Sequence, residues 1–251
     1  MIASISKRRA AVLAALFCAE AIHTAPAASL LETLNNEVSA LYDKSKDAII
    51  KVHAQRLVQF GNLPLIPLVS VGTGFFIDGE GRFLTSSSVV QDAESCWIDW
   101  GGRKIPAKVL GRDQPTNIAL LKVDPEKCVG AGKPTPFLPQ GNSDELRVGS
   151  MVIAIGFPYD MPSSPVVGFI NGLDIRSGAH VFATSHIRAG CKLSPGQGGG
   201  PLMNVRGEVV GVAVAAHMDD QCYALPISAT KKIVADIQES GVETNNTVSL
   251  V

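Results

Sequence analysis

The sequence has 251 residues, enough for one large or two small domains, and 46% of them are hydrophobic, as in ordinary globular proteins. Its formal net charge is −1, and there is no basic run beyond Lys7-Arg8-Arg9 near the N-terminus. This charge distribution argues against a nucleic-acid-binding protein.

The N-terminal segment has the three parts of a secretory signal peptide. The basic Lys7-Arg8-Arg9 precedes an apolar stretch from Ala10 to Ala21, and Ala25-Pro26-Ala27 supplies small residues for cleavage. The apolar stretch is too short for a comfortable membrane span. We therefore predict a signal peptide over residues 1–27, with an uncleaved interfacial anchor as the alternative. The mature protein is then periplasmic or secreted and has no membrane span.

The first elements after the signal peptide are a helix and a strand. Apolar residues recur at helical spacing between Leu31 and Tyr42 and predict a helix over 30–46. Alternating apolar residues predict a strand over 48–55. Residues 57–68 contain two prolines and a glycine, which indicates a loop or a surface hairpin.

Many short strands follow, separated by turn signals such as Asp78-Gly79-Glu80-Gly81. They are predicted at 71–77, 82–85, 96–100, 105–110, 118–123, 151–156, 166–173, 180–187, 201–204, 208–215 and 223–226. This pattern is typical of a β-sandwich or β-barrel architecture. Pro134-Thr135-Pro136 interrupts the series and indicates a linker between two all-β halves, which we place at 28–135 and 136–241. A late helix over 229–240 ends at Gly241, and residues 242–251 are predicted to be a flexible tail.

Four cysteines remain after removal of the signal peptide: Cys96, Cys128, Cys191 and Cys222. An even number in an exported protein indicates disulfides, with three possible pairings. A zinc site would favour close pairs such as C-x-x-C, and the sequence has none. The scattered histidines also lack ligand spacing, so we predict no metal and no cofactor.

A glycine-rich loop, Ser194-Pro195-Gly196-Gln197-Gly198-Gly199-Gly200-Pro201-Leu202, lies between two apolar stretches. Glycine permits backbone angles that other residues resist, and such a loop can aim successive N–H groups at a developing oxyanion. The loop resembles the nucleophile loop P-G-N-S-G-G-P-L of HtrA/Deg-type trypsin-like serine proteases. Gly196, Gln197 and Gly198 then form the oxyanion loop, and Gly198 occupies the place of the nucleophilic serine.

The resemblance extends over roughly residues 30–240 through an ordered series of motifs. Gly72 to Asp78 is similar to the family's G-S-G-F-I-I-D, and Phe83 to Val90 is similar to I-L-T-N-N-H-V-V. Thr116 to Lys122 is similar to the segment that ends in D-I-A-L-L-K. These similarities place Ser88 at the catalytic histidine and Asn117 at the catalytic aspartate.

The resemblance implies an all-β fold of two perpendicular six-stranded Greek-key β-barrels, with an N-terminal and a C-terminal helix and the active cleft between the barrels. Acyl transfer by this family needs a hydroxyl, a base that accepts its proton and a carboxylate that orients the base. Ser88, Asn117 and Gly198 supply none of these in the required positions. Neither Ser194 nor the histidines at 53, 180, 186 and 217 occupy a catalytic motif of the family. We also expect no PDZ domain.

The resemblance also implies roles for two of the cysteines. It places Cys191 on the wall of the primary specificity pocket and Cys222, next to Tyr223, across that pocket. The implied pairings are Cys191–Cys222, which reshapes the pocket, and Cys96–Cys128. Buried free thiols are the alternative.

The functional prediction is an exported, catalytically inactive protease homologue that binds a polypeptide or a protein partner by β-strand addition. The alternatives are an active hydrolase with a rearranged site and a purely structural interaction domain. The tail Ser249-Leu250-Val251 resembles a PDZ ligand, which suggests docking on an active protease relative.

Overall fold

The computed structural model describes residues 29–59, 61, 64–175, 184–216 and 221–240. The predicted signal peptide, the tail at 242–251, His180 and His217 lie outside these residues. No helix in the described ranges is long and apolar enough to cross a membrane.

The first half of the chain folds into a helix and a closed barrel of six antiparallel strands. Helix α1 covers Leu30–Ser45. It begins with a capping box, because Ser29 Oγ accepts from the Glu32 N–H and Glu32 Oε2 accepts from the Ser29 N–H. The strands are β1 Ile49–Val58, β2 Ile66–Phe76, β3 Arg82–Ser86, β4 Ser95–Trp100, β5 Arg103–Asp113 and β6 Ile118–Val123. They close in the spatial order β1-β2-β3-β6-β5-β4.

The second half repeats this arrangement. Its strands are β7 Met151–Gly156, β8 Ser164–Ile175, β9 His186–Ala189, β10 Pro201–Asn204, β11 Val209–Ala216 and β12 Cys222–Pro226, and helix α3 follows at Ile227–Ser240. They close in the order β7-β8-β9-β12-β11-β10, which is the first order shifted by six strands. The two closed six-stranded barrels and the two terminal helices confirm the predicted fold class.

Each barrel encloses its own apolar core. In the first, Val52, Phe76, Phe83, Ile98 and Leu121 are fully buried and come from five different strands. In the second, the equivalent cluster is built from smaller side chains, and its members include Val152, Ile170, Leu202, Val210 and Ala224. Inward residues alternate with outward ones along the strands, which is the physical origin of the pattern seen in the sequence.

The segment between the barrels is docked on the first barrel. A short helix α2, Pro125–Val129, begins at Asp124, whose side chain accepts from the Glu126 N–H. Five residues are too few for a periodic signal, so the sequence did not predict this helix. In the proline-rich stretch, Thr135 is buried, its Oγ1 donates to Asp78 O at 2.9 Å, and its N–H donates to Gly79 O at 3.1 Å. The predicted linker therefore lies between the two sets of strands and is fixed by hydrogen bonds.

Candidate active-site cleft

The glycine-rich loop consists of two consecutive tight turns. The Gln197 N–H donates to Ser194 O at 3.1 Å, and the Gly200 N–H donates to Gln197 O at 3.2 Å. The third residue of each turn has a positive φ, +95° at Gly196 and +86° at Gly199, which is the geometry of a type II turn. A Cβ at Gly196 would collide with Phe157 O, and a Cβ at Gly199 would collide with Thr73 O. Glycine is therefore required at both positions.

Gly198 is different from its two glycine neighbours. Its φ is not positive, and an ideal Cβ built on it meets no atom of the described residues within 4 Å, its two chain neighbours aside. In contrast, a Cβ on Gly200 would lie 2.6 Å from Ile155 O. The backbone therefore leaves room for a side chain at the position that resembles the nucleophile, and the fold itself does not demand glycine there.

Thr73 on β2 holds this loop against the first barrel. Its N–H donates to Gly198 O at 2.9 Å, and its Oγ1 donates to Gly196 O at 2.7 Å. The same hydroxyl accepts from the Phe157 N–H at 3.0 Å, and the Thr73 carbonyl accepts from Thr85 Oγ1 at 2.7 Å. Thr73 is completely buried, so these bonds fix two carbonyls of the loop. The sequence motif gave no indication of this role.

The structure brings Ser88 and Asn117 into direct contact. Asn117 Oδ1 accepts from the Ser88 N–H at 2.8 Å, and Asn117 Nδ2 donates to Val214 O on β11 at 2.9 Å. Asn117 has φ +60°, a conformation in which asparagine is enriched. Its amide therefore links the turn after β3 in the first barrel to β11 in the second. A carboxylate at this position has no proton to donate to Val214 O.

Ser88 is exposed, and its hydroxyl bonds to that of Ser86 at 2.7 Å. Ser86 in turn lies against the loop, because a Cβ on Gly199 would be 2.5 Å from the Ser86 N atom. The three predicted positions, Ser88, Asn117 and Gly198, thus lie around one junction between the barrels.

The two described histidines, His53 and His186, make the following contacts away from this junction. His53 lies on β1 and stacks on Trp97, with ring centroids 5.3 Å apart, and burial lowers its pKa. His186 on β9 is buried, and its Nδ1 pairs with Thr184 O at 2.8 Å. Burial also lowers the pKa of His186, so both rings favour the neutral form.

The side chain of Gln197 turns into the protein. It is 2% exposed, and its Oε1 accepts from the Ser194 N–H at 2.7 Å. Its Nε2 has no hydrogen-bond partner among the described residues. Gln197 therefore stabilises the first turn of the loop and leaves one buried donor unused.

The four cysteines are all buried and all free thiols in the structure. Cys222 lies on β12 opposite Ala189, and Cys191 follows the end of β9 by two residues, so the two thiols are neighbours. This neighbour and burial raise the pKa of Cys222 well above the usual thiol value. Cys96 and Cys128 belong to the same core cluster of the first barrel. Both disulfides stay predictions, and the structure places the thiols of Cys191 and Cys222 as neighbours.

The adjacent Tyr223 is 3% exposed and lies opposite Arg188 in the β12–β9 ladder. Within the described ranges, no group of three or more His, Cys, Asp and Glu side chains is arranged to hold a metal ion.

Comparisons with known proteins agree with this architecture. Residues 72–212 match the family model of the trypsin-like peptidase domain. The chain is 33% identical over 177 residues to a probable periplasmic serine endoprotease, DegP-like, of Chlamydia trachomatis, covering 68% of this chain and 34% of that protein. It is 29% identical over 240 residues to the putative serine protease HhoA of Synechocystis, covering 85% of this chain and 60% of that protein.

Solved structures of the HtrA-type protease AlgW with a decapeptide share the fold. One superposes with a TM-score of 0.69 at 21% identity, covering 81% of this chain and 68% of that one. The chain therefore spans between about one third and two thirds of the length of these relatives.

Proposed function

Since the chain belongs to the HtrA-type family of trypsin-like serine proteases, we propose that it is an exported homologue without peptidase activity, which binds polypeptide at the junction of its two barrels. The observation that carries this proposal is Gly198. The backbone there leaves room for a side chain, yet the residue present has none.

The neighbouring positions support the absence of acyl transfer. Ser88 bonds through its hydroxyl to another serine, and Asn117 offers a neutral amide whose two ends are both hydrogen-bonded. A serine cannot accept a proton from a nucleophile at neutral pH, and an amide cannot stabilise a charged base. Loss of the nucleophile or the base alone lowers kcat by about six orders of magnitude in a serine protease that carries the same triad on an unrelated fold.

The edge of β11 supports peptide binding. β11 extends to Ala216, but its pairing with β10 ends at Val212. The next residue, Ala213, exchanges bonds with Gly199 and Gly200 of the loop, and Val214 O accepts from Asn117. The edge beyond these contacts is unpaired by β10 and is suited to an extended peptide that adds as a strand.

The second candidate function is hydrolysis by a rearranged site. It requires a hydroxyl next to a base, and the hydroxyl of Ser86, buried beside the loop, has the Ser88 hydroxyl as its partner. This hydroxyl would need a histidine as its base, but His53 stacks on Trp97 and His186 pairs with Thr184 O. The third candidate, a purely structural domain, predicts that no peptide binds at all.

Turnover of fluorescent casein and labelling by a fluorophosphonate probe test the proposal, with an active HtrA-type protease as the positive control. We expect neither turnover nor labelling by the mature protein, nor by the Gly198→Ser variant, because Ser88 and Asn117 cannot activate the new serine. The matched comparison is the triple variant Ser88→His, Asn117→Asp, Gly198→Ser. Labelling of the triple variant alone would locate the loss of activity at these positions. Inhibitor-sensitive turnover by the unmodified protein would contradict the proposal.

A further inference from the structure

We infer that the loop Ser194–Leu202 is a receptor for the free C-terminal carboxylate of a polypeptide. This inference rests on the proposed function, because it specifies which part of a bound chain the junction recognises. Four observations on the described residues lead to it.

Two N–H groups of the loop are unused. The N–H groups of Ser194, Gln197, Gly199 and Gly200 donate to Gln197 Oε1, Ser194 O, Ala213 O and Gln197 O. Those of Gly196 and Gly198 donate no hydrogen bond within the described part of the chain. The two donors are two residues apart, and backbone N–H groups seldom stay unsatisfied unless solvent or a ligand reaches them.

The anchoring of the loop decides where these donors point. In a planar trans peptide the C=O and N–H vectors are opposed, and the described chain contains no cis peptide bond. Pro195 O accepts from the Tyr159 N–H at 2.7 Å, so the Gly196 N–H points away from that contact. Gln197 O accepts from the Gly200 N–H inside the turn, so the Gly198 N–H points away from the turn. Both donors are therefore held ready for an external acceptor.

The open space at Gly198 provides room for a second oxygen atom. A serine at this position would place its Oγ in that space, and among the described residues, the two chain neighbours aside, no atom lies within 4 Å of an ideal Cβ. An internal peptide carbonyl brings only one oxygen. A carboxylate brings two, and charge-assisted hydrogen bonds to it are stronger than those to a neutral carbonyl.

The stretch of chain that forms the loop carries no negative charge. The stretch from Gly190 to Leu202 contains the cationic Lys192 and no aspartate or glutamate. The carboxylate of Asp160 lies three residues after Phe157, whose carbonyl faces Gly196, and it is paired with Lys51 at 2.6 Å. The positions that carry charge in an active protease are the neutral Ser88 and Asn117. A carboxylate at Gly198 therefore meets no uncompensated negative charge among these groups.

The experiment compares the two forms of one peptide end. The probes are fluorescein-labelled hexapeptides of alanine and glycine ending in Val, Phe or Asp, each prepared as the free acid and as the C-terminal amide. Binding to the mature protein is followed by fluorescence polarisation. We expect at least one free acid to bind about tenfold or more tightly than its amide. Its titration should also shift the Gly196 and Gly198 N–H signals in ¹H–¹⁵N spectra of labelled protein.

Two variants locate the binding. Gly198→Ala fills the open space without a backbone clash, so we expect it to fold, to weaken binding of the acid about tenfold and to leave binding of the amide unchanged. Val205→Ala, in the exposed turn between β10 and β11, is the matched control and should change neither. Thermal melting establishes that both variants are folded.

The possible outcomes separate the inference from the proposed function. Equal binding of acid and amide would overturn the inference and leave peptide binding intact. Cleavage of a probe would contradict the proposed function. Absence of binding by every probe, or shifts confined to signals outside the loop, would also overturn the inference.

Discussion

At the scale of single residues, the three consecutive glycines of the loop have three different environments. Gly199 has φ +86° and lies against Thr73 O, Gly200 lies against Ile155 O, and Gly198 faces open space. The resemblance to P-G-N-S-G-G-P-L sets Gly198 apart from the other two, but the sequence does not give the contacts that require glycine at Gly199 and Gly200. The structure shows which of the three positions require glycine, and the stability of alanine variants can test this.

We expect Gly199→Ala to lower the free energy of unfolding by at least about 2 kcal/mol, because a positive φ and a backbone clash both oppose a Cβ there. Gly198→Ala is the matched control, and we expect it to be neutral or to stabilise by about 0.5 kcal/mol by restricting the unfolded chain. Urea unfolding of the two variants measures both effects. Equal losses of stability would contradict the assignment of these environments.

The role of Thr73 in fixing the glycine-rich loop could not be predicted from the sequence. Its hydrogen-bond partners Gly196 and Phe157 are 123 and 84 residues away in the sequence, so no local sequence pattern predicts these hydrogen bonds. We expect Thr73→Val to destabilise the protein by about 1–3 kcal/mol, because it keeps the shape but leaves two partly buried groups, Gly196 O and the Phe157 N–H, without this partner. Thr73→Ser retains the hydroxyl and serves as the control in the same unfolding measurement. A smaller loss for valine than for serine would show that the hydroxyl does not hold the loop.

At the scale of elements, the sequence indicated most strands because their inward residues alternate and their turns contain glycine or proline. The boundaries of β5 and β8 were less accurate, since these strands extend at both ends beyond their apolar centres, to Arg103–Asp113 and Ser164–Ile175. Two other features could not be predicted from the sequence. Helix α2 is too short to show helical periodicity, and the hydrogen bond from Asn117 to Val214 joins residues 97 positions apart.

The end of β9 and the start of β12 bring two thiols together, and this contact gives the disulfide prediction its physical basis. We expect non-reducing peptide mapping of the protein, produced in an oxidising compartment, to find Cys191 joined to Cys222. The closed loop has about thirty residues, so reduction should lower the free energy of unfolding by roughly 3–4 kcal/mol. Cys96→Ala is the control, because it cannot form the Cys96–Cys128 bridge, so the effect of reductant on this variant is that of the Cys191–Cys222 bridge alone. Four free thiols in the mapped protein would contradict the prediction.

Strand β9 also carries a buried titrating group, His186. Burial lowers its pKa in the folded protein, so the unfolded chain, with a value near 6.5, takes up the proton first as the pH falls. We expect the free energy of unfolding to decrease as the pH is lowered below about 6.5, and to level off below the folded pKa. His53 contributes in the same direction. Unfolding of His186→Gln between pH 8 and pH 5 should therefore show a smaller, but not abolished, dependence on pH. An unchanged slope would contradict this account.

At the scale of the whole molecule, the two barrels share one strand order, although the sequence shows no internal repeat. The candidate site belongs to neither barrel alone. Thr73, Ser88 and Asn117 come from the first, and the glycine loop and Val214 come from the second. The geometry of the unused N–H groups therefore depends on how firmly the barrels are joined.

Helix α3 contributes to this junction because it follows the second barrel yet packs on β5 of the first. Ile237 is 1% exposed and lies so close to Gly111 that a Cβ there would be 2.5 Å from its Cγ2. Truncation to Ile237→Ala removes buried methyl and methylene groups at this contact, so we expect a loss of about 2–5 kcal/mol in the free energy of unfolding. Gln238→Ala, on the exposed side of the same helix, is the matched control and should change stability by less than about 0.5 kcal/mol.

Because the site spans both barrels, Ile237→Ala should also weaken binding of a free-acid peptide under conditions in which the variant is still folded. Urea unfolding followed by tryptophan fluorescence reports on the first barrel, since Trp97 and Trp100 both lie on β4. The ¹H–¹⁵N signals of Gly196 and Gly198 report on the second. In the parent protein we expect the two unfolding transitions, measured by tryptophan fluorescence and by the glycine N–H signals, to coincide. In Ile237→Ala we expect them to separate. A variant that unfolds like the parent would show that α3 does not couple the two halves.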